Sequence, residues 1–128
     1  MYEEEIFEAY KEGSEFYLAE FNEEEAAIMV IQHMEWNNTL LIHDLYVLNR
    51  FKKNGIGGSL IEVAKKRAIE LVVRAIYLET QTSNYPAIQF YLKNVFELIG
   101  FNSISYSNED VKNKEAQVEM GYTLKILT

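Results

Sequence analysis

The stretch Leu40–Leu60, LLIHDLYVLNRFKKNGIGGSL, decides how this chain is read. It opens as an apolar run to Leu48, turns basic at Arg50, Lys52 and Lys53, and gathers glycine at Gly55, Gly57 and Gly58. An amphipathic helix pattern follows. Strand, basic glycine turn, helix is the order that presents backbone N–H groups and a helix N-terminus to a phosphate. Two phosphate loops are excluded by inspection. A P-loop needs Gly-Lys-Ser/Thr, and Gly57 is followed by Gly58 and Ser59. The dinucleotide fingerprint G-x-G-x-x-G needs glycine at the position of Leu60. What is left is a basic residue, Lys52, two others, then Gly55-Ile56-Gly57.

The charge map isolates the same stretch. The chain carries a net charge of −8 over 128 residues. Residues 1–49 are net −11, residues 50–74 net +5, and residues 75–128 net −2. The basic segment is therefore the glycine loop and the helix after it. Lys65, Lys66 and Arg67 taken alone read as a solvated helix face. The acidic remainder argues against nucleic acid, which needs a broad basic surface, and suits a cationic substrate by steering. No apolar run approaches the roughly 20 residues that span a bilayer. The acidic MYEEE start is unlike a signal or transit peptide. These features set an expectation of a cytoplasmic protein with no membrane partner. The absence of cysteine removes disulfides, thiolate metal sites and a cysteine nucleophile.

Outward from the loop, hydrophobic periodicity predicts the remaining elements. Tyr2–Glu12 reads as a helix, Phe16–Phe21 as a strand, and Asn22–Glu25 as a polar turn. Ala26–Glu35 and Leu40–Val47 read as strands joined by a two-residue Asn37–Asn38 turn. The helix from Gly57 carries Leu60, Ile61, Ala64, Ala68 and Leu71 on one stripe and ends near Val73. Ala75–Thr80 reads as a buried strand. A further helix, capped by Ser83 or Asn84 with Pro86 in its first turn, is expected to run to about Leu98 and stop at Gly100. Phe101–Tyr106 and Ala116–Leu124 read as strands around a polar Ser107–Glu115 loop. The expected fold class is α+β: a mixed, mainly antiparallel sheet with a central parallel pair and packed helices, in a single domain over residues 1–128.

A second motif lies in Thr80–Phe101, TQTSNYPAIQFYLKNVFELIGF. Asn84, Ala87, Tyr91, Lys93 and Phe96 follow the pattern N-x-x-A-x-x-x-Y-x-K-x-G-F, with Val95 where glycine is usual. Together with the Lys52–Gly57 loop, this resembles the GNAT acetyltransferase superfamily. Trp36-Asn37-Asn38, Ile42, Asp44 and Leu78-Glu79-Thr80-Gln81 are closest in look to its streptothricin acetyltransferases. By that resemblance the family's usual first strand lies before Tyr2 and is not in this sequence.

The resemblance implies an acetyl-CoA-dependent N-acetyltransferase that passes acetyl directly to a primary amine of a small cationic substrate, with no metal. A protein or peptide amine acceptor, or an acyl-CoA-binding module without turnover, is the alternative. The backbone of Leu45, Tyr46 and Val47 would pair with the pantetheine arm. The backbone N–H groups of Lys53, Asn54, Gly55, Ile56, Gly57 and Gly58 would hold the pyrophosphate, Lys52 and Lys53 would supply charge, Ser59 would add a hydroxyl contact, and Asn84 would touch the cofactor arm. Tyr91 matches the family's general acid, although its neighbours Phe90 and Phe96 also allow a core aromatic.

Asp44, His43 and water are open as the proton acceptor, and Glu79 is a candidate to hold the cationic amine. Alternation along a strand places His43 and Asp44 on opposite faces. An Asn37–Asn38 turn pairs position 33 with 42, which sets His33 and His43 on opposite faces and argues against a shared metal. Family members often form dimers, so a homodimer is expected.

Overall fold

A computed structural model describes residues 13–81, 83–102 and 117–124, and the predicted Tyr2–Glu12 helix and Ser107–Glu115 loop lie outside them. The described elements are β1 (Ser14–Phe21), β2 (Glu24–Met34), β3 (Thr39–Val47), a 3-10 turn (Asn49–Phe51), α1 (Ile56–Leu71), β4 (Ala75–Gln81), α2 (Tyr85–Lys93), β5 (Glu97–Asn102) and β6 (Gln117–Thr123). They form one six-stranded sheet in the order β1-β2-β3-β4-β6-β5. Every neighbouring pair is antiparallel except β3–β4. Among the described residues no helix is long and apolar enough to cross a membrane.

The core lies on one side of the sheet. Ala27, Met29 and Ile31 of β2, Leu40 and Ile42 of β3, Ile76 and Leu78 of β4, and Val118 and Met120 of β6 pack with Leu60, Ile61, Ala64 and Ala68 of α1. The period-2 alternation of these strand positions aims alternate side chains at the helix. Phe96 and Tyr91 join the same cluster beside Tyr122.

A paired carboxylate ties β1 to α1. Arg67 Nε and Nη2 donate to Glu15 Oε1 and Oε2 at 2.8 and 2.9 Å. The Arg67 hydrogen bond holds the Glu15 carboxyl below its ordinary value of 4.5. A depressed acid stabilises the fold above its ordinary pKa and loses that contribution as pH falls through the folded value. Glu15→Gln should therefore lower the melting temperature at pH 7. The gap to wild type should close as pH drops below 4.5 in a pH series of thermal melts.

Several expected boundaries move, each for a local reason. The β1–β2 turn is Asn22-Glu23, both at positive φ (53° and 68°), as a tight hairpin demands. The β2–β3 loop is Glu35–Asn38, closed by the Asn38 amide on the Glu35 carbonyl. His33 therefore pairs with Leu40 rather than residue 42.

α2 ends at Lys93, not near Leu98, because the chain reverses through Asn94 and Val95. The Phe96 amide then returns to the Tyr91 carbonyl at 3.0 Å. Leu98–Gly100 belongs to β5, where Gly100 flanks a register shift against β6 and is not a helix stop. Val95 holds φ +73°, a conformation that a β-branched side chain resists. Its side chain is 66% exposed, so little packing depends on it. Val95→Gly should raise stability by about 1 kcal/mol, read as a higher urea midpoint at unchanged m-value.

The solvated-face reading of Lys65 and Arg67 is also corrected. Lys65 is only 15% exposed. Its ammonium donates to the Asn94 carbonyl at 3.0 Å and lies 4.5 Å from the Tyr122 ring centroid. Lys66 remains on the solvent side.

Candidate active site

β3 and β4 are in register only at Thr39–Ala75, Leu40–Ile76 and Leu41–Tyr77. Past that point β4 is matched to β6 as far as Gln81. β3 is matched only to β2 from Ile42 to Val47. The sheet thus opens into a wedge, and the wedge-facing edge of β3 offers its backbone to a ligand rather than to a strand. Leu45, Tyr46 and Val47 line a cleft of about 650 Å³ at this opening. Its far walls come from the α1 N-terminus and from Asn84, Ala87, Phe90 and Tyr91 of the α2 region.

The glycine loop is built to leave the start of α1 open. Gly55 holds φ +76° at the N-cap, and no side chain caps the helix. The leading amides of a helix lack internal acceptors, and no acidic residue lies in this first turn. Gly57 is a close approach: a Cβ there would stand 3.1 Å from the Phe90 ring. Phe51, buried beneath the loop, packs edge-on against Phe21 at 5.9 Å. These features give a cradle for an anionic group that a side chain at position 57 would fill.

Most of the expected phosphate residues meet here. Lys52, Lys53, Gly55, Ile56, Gly57 and Gly58 all line the cleft. Asn54 and Ser59 do not line it, and they support the loop from within. Asn54 Nδ2 donates to the Phe51 carbonyl at 2.9 Å, and Ser59 Oγ donates to the Gly55 carbonyl at 3.0 Å. Asn84 has a dual position. It lines the cleft, and its side chain accepts the Ala87 amide at 3.4 Å as the cap of α2. Lys93 and Asn94 also line the cleft and were assigned no role from sequence. Lys93 was visible as a member of the second motif, whereas Asn94 lies at a position the motif leaves unspecified.

Tyr91 is 8% exposed, and its ring meets Phe90 and Phe96 with centroids 5.2 and 5.6 Å away. It is a core aromatic and a cleft residue together. Burial, and then the Asp44 carboxylate, push its hydroxyl up to about 12. It therefore keeps its proton throughout the neutral range.

The carboxylates and His43 gather on the other face of the sheet. A bulge in β3 matches Asp44 to Val30 and Ile42 to Ile31, leaving His43 as the extra residue. This breaks the expected alternation. Asp44 lies on the face of Val30, and His43 Nε2 reaches Gln32 Oε1 on that same face at 2.8 Å. His33 instead contacts Asn38, which bonds the Val72 carbonyl on the helix side. Burial lowers the His43 pKa, countered by Asp44. Glu79 stands directly opposite Glu119 of β6, and burial, then Glu119, raises its pKa. His43, Asp44 and Glu79 are not among the residues lining the cleft. Among the described residues no cluster of three or more histidine or carboxylate groups is arranged to hold a metal.

The family model described as Acetyltransferase (GNAT) family matches residues 1–96. The chain belongs to the GNAT acetyltransferase family. Within it, the chain is 38% identical over 82 residues to streptothricin acetyltransferase of Escherichia coli, covering 63% of this chain and 47% of that protein. It is 35% identical over 81 residues to streptothricin acetyltransferase A of Bacillus subtilis (strain 168), again covering 63% and 47%. The chain thus spans about half the length of these curated relatives. Among solved GNAT structures, a Bacillus anthracis str. Ames protein assigned as a streptothricin acetyltransferase, in complex with acetyl coenzyme A, superposes with a TM-score of 0.81. That match has 29% identity and covers 89% of this chain and 64% of the other.

Proposed function

We propose that this GNAT chain is an acetyl-CoA-dependent N-acetyltransferase acting on a primary amine of a small cationic molecule of the streptothricin type. The observation that carries the reading is the wedge between β3 and β4, whose β3 edge runs into an uncapped, lysine-flanked helix start. Acetyl-CoA would supply an activated acyl group, held by its amide-bearing arm along Leu45–Val47 and by its diphosphate at Lys52–Gly58. Glycine at 57 fits this ligand because a Cβ there would stand 3.1 Å from the Phe90 ring, and any longer side chain would have to turn toward the cleft. Asn84 lies on the wall where the arm would pass.

The residues divide the proton work. Tyr91, protonated at its hydroxyl, donates toward the leaving sulfur. An alkyl amine with a pKa near about 10 arrives charged and must lose a proton before it attacks. In this reading Asp44 or His43, neighbours on the opposite face, takes that proton. The lowered pKa of His43 keeps its imidazole neutral, the form that accepts one. Glu79, on the same face and beside Glu119, supplies negative charge for a cationic acceptor. In this reading the cofactor enters from the helix side and the amine from the other face, meeting where the strands part.

Calorimetric titration with acetyl-CoA, followed by turnover against a panel of small cationic amines and peptide amines, tests the proposal. Saturable binding with turnover of a small cationic amine supports it. Binding with turnover only of peptide amines moves the acceptor class, and binding without any turnover leaves an acyl-CoA-binding module. Absence of binding by the folded chain removes the enzyme reading.

A further inference from the structure

Seven of the eight lysine and arginine residues of the described structure fall into two groups, and the eighth, Lys66, is exposed on α1. Arg50 pairs with Glu24 at 2.7 Å, and Arg67 pairs with Glu15. Lys65 is taken up by Asn94 and Glu62, and Arg74 donates to the Asn37 carbonyl. Lys52, Lys53 and Lys93 line the cleft, and among the described residues none of them is in an ion pair. Two of the three belong to the glycine loop. The third, Lys93, comes from the last turn of α2.

A cation in a last helical turn favours the helix dipole wherever it occurs, and that explains a lysine here but not its place on the cleft. The next residue, Asn94, shows where that place is. A Cβ on Gly58 would stand 3.8 Å from its side-chain oxygen, an ordinary contact distance, so the end of α2 packs against the first turn of α1 at the rim of the cleft. Lys93, the residue before Asn94, therefore borders the cleft close to the α1 amides.

Coenzyme A carries two separate anionic groups, a diphosphate and a 3′-phosphate monoester. The monoester alone holds about −1.5 to −2 charges at neutral pH. Backbone amides and paired lysines on one wall suit the diphosphate, which is threaded through the ligand and must approach the backbone closely. A terminal monoester needs no glycine cradle, only a mobile cation within reach.

We propose that Lys93 reads the 3′-phosphate and makes this cleft select coenzyme A over its dephospho form. The inference rests on the cofactor reading given above and adds to it a specificity-determining residue.

Titration calorimetry with coenzyme A and with dephospho-coenzyme A separates the possibilities. The wild-type chain is expected to prefer coenzyme A by about ten-fold. Lys93→Gln should lose that preference through weaker coenzyme A binding, with the dephospho form bound as before. Lys93→Arg should retain it. Lys66→Gln, which removes the same charge from an exposed position of α1, should change neither affinity. Equal weakening of both ligands by Lys93→Gln, or no weakening of either, overturns the assignment of Lys93 while leaving the cofactor reading standing. Failure of both ligands to bind the wild-type chain overturns the cofactor reading and the assignment together.

Discussion

Tyr91→Phe should lower kcat by about 10²- to 10⁴-fold while acetyl-CoA affinity changes by less than about three-fold. The substitution removes one oxygen from a ring that is already packed among Phe90 and Phe96. The apolar body of the site is kept, and so is the cleft wall. Only the hydroxyl, with its transferable proton, is lost. Its pKa near 12 means that wild-type Tyr91 is protonated at every pH where the assay is run, so the loss should be independent of pH between about 6 and 9. Steady-state kinetics and titration on the same preparation check both halves. Unchanged turnover would reduce Tyr91 to a packing residue and leave water to protonate the departing thiolate. Equal losses in binding and turnover would show that the hydroxyl holds the cofactor rather than serving the leaving group.

Gly57→Glu should raise the dissociation constant for acetyl-CoA by at least about 100-fold, from the loss of charge-assisted contacts and the arrival of a like charge. A Cβ at this position already meets Phe90 at 3.1 Å, so the longer side chain is driven toward the cleft. Its carboxylate then occupies the ground between the first-turn amides and Lys52 and Lys53, where a ligand phosphate would sit. Gly57 lies within α1 and is not among the positive-φ residues, so the helix can form with a side chain there. Circular dichroism should therefore show a folded chain that no longer binds. Wild-type affinity in this variant would move the anion seat away from the α1 N-terminus. Gly57→Ala, with a methyl against an aromatic ring that can shift by a few tenths of an ångström, should give an intermediate loss.

How much of this could be read beforehand depended on whether the signal was local. The glycine loop was legible because its chemistry is written in consecutive residues: Lys52, Lys53, Gly55 and Gly57 all lie on the cleft. The β3–β4 parallel pair followed from strand, helix, strand in sequence. The β3 bulge was not legible. Nothing in Ile42-His43-Asp44 announces an extra residue, and a single insertion of that kind reverses which side chains share a face. The end of α2 is not legible either, because Val95 breaks the helix from a conformation normally reserved for glycine. A β-branched residue there reads as continuation. The Ser59 hydroxyl is expected from its place in the loop to meet the ligand, yet it donates to the Gly55 carbonyl, as the Asn54 side chain does to that of Phe51. Short polar side chains near a turn bond their own backbone at least as readily as a ligand. Lys93 shows the opposite case, a residue that belongs to a motif but whose place on the cleft follows only from the packing of α2 against α1.

The wedge in the sheet also bears on how the chain avoids its own kind. Free strand edges invite other chains to add on, and proteins commonly blunt them with lysine, proline or bulges at the margins of the sheet. Here a free edge lies in the interior of the strand order, between β3 and β4, with α1 and α2 on one side and the β4–β6–β5 half-sheet beyond it. A second molecule cannot bring a whole sheet alongside that edge, because the other half of its own sheet already stands in the way. Only something as slender as a single extended chain can enter. The split therefore exposes backbone to a small ligand without offering a template for polymerisation.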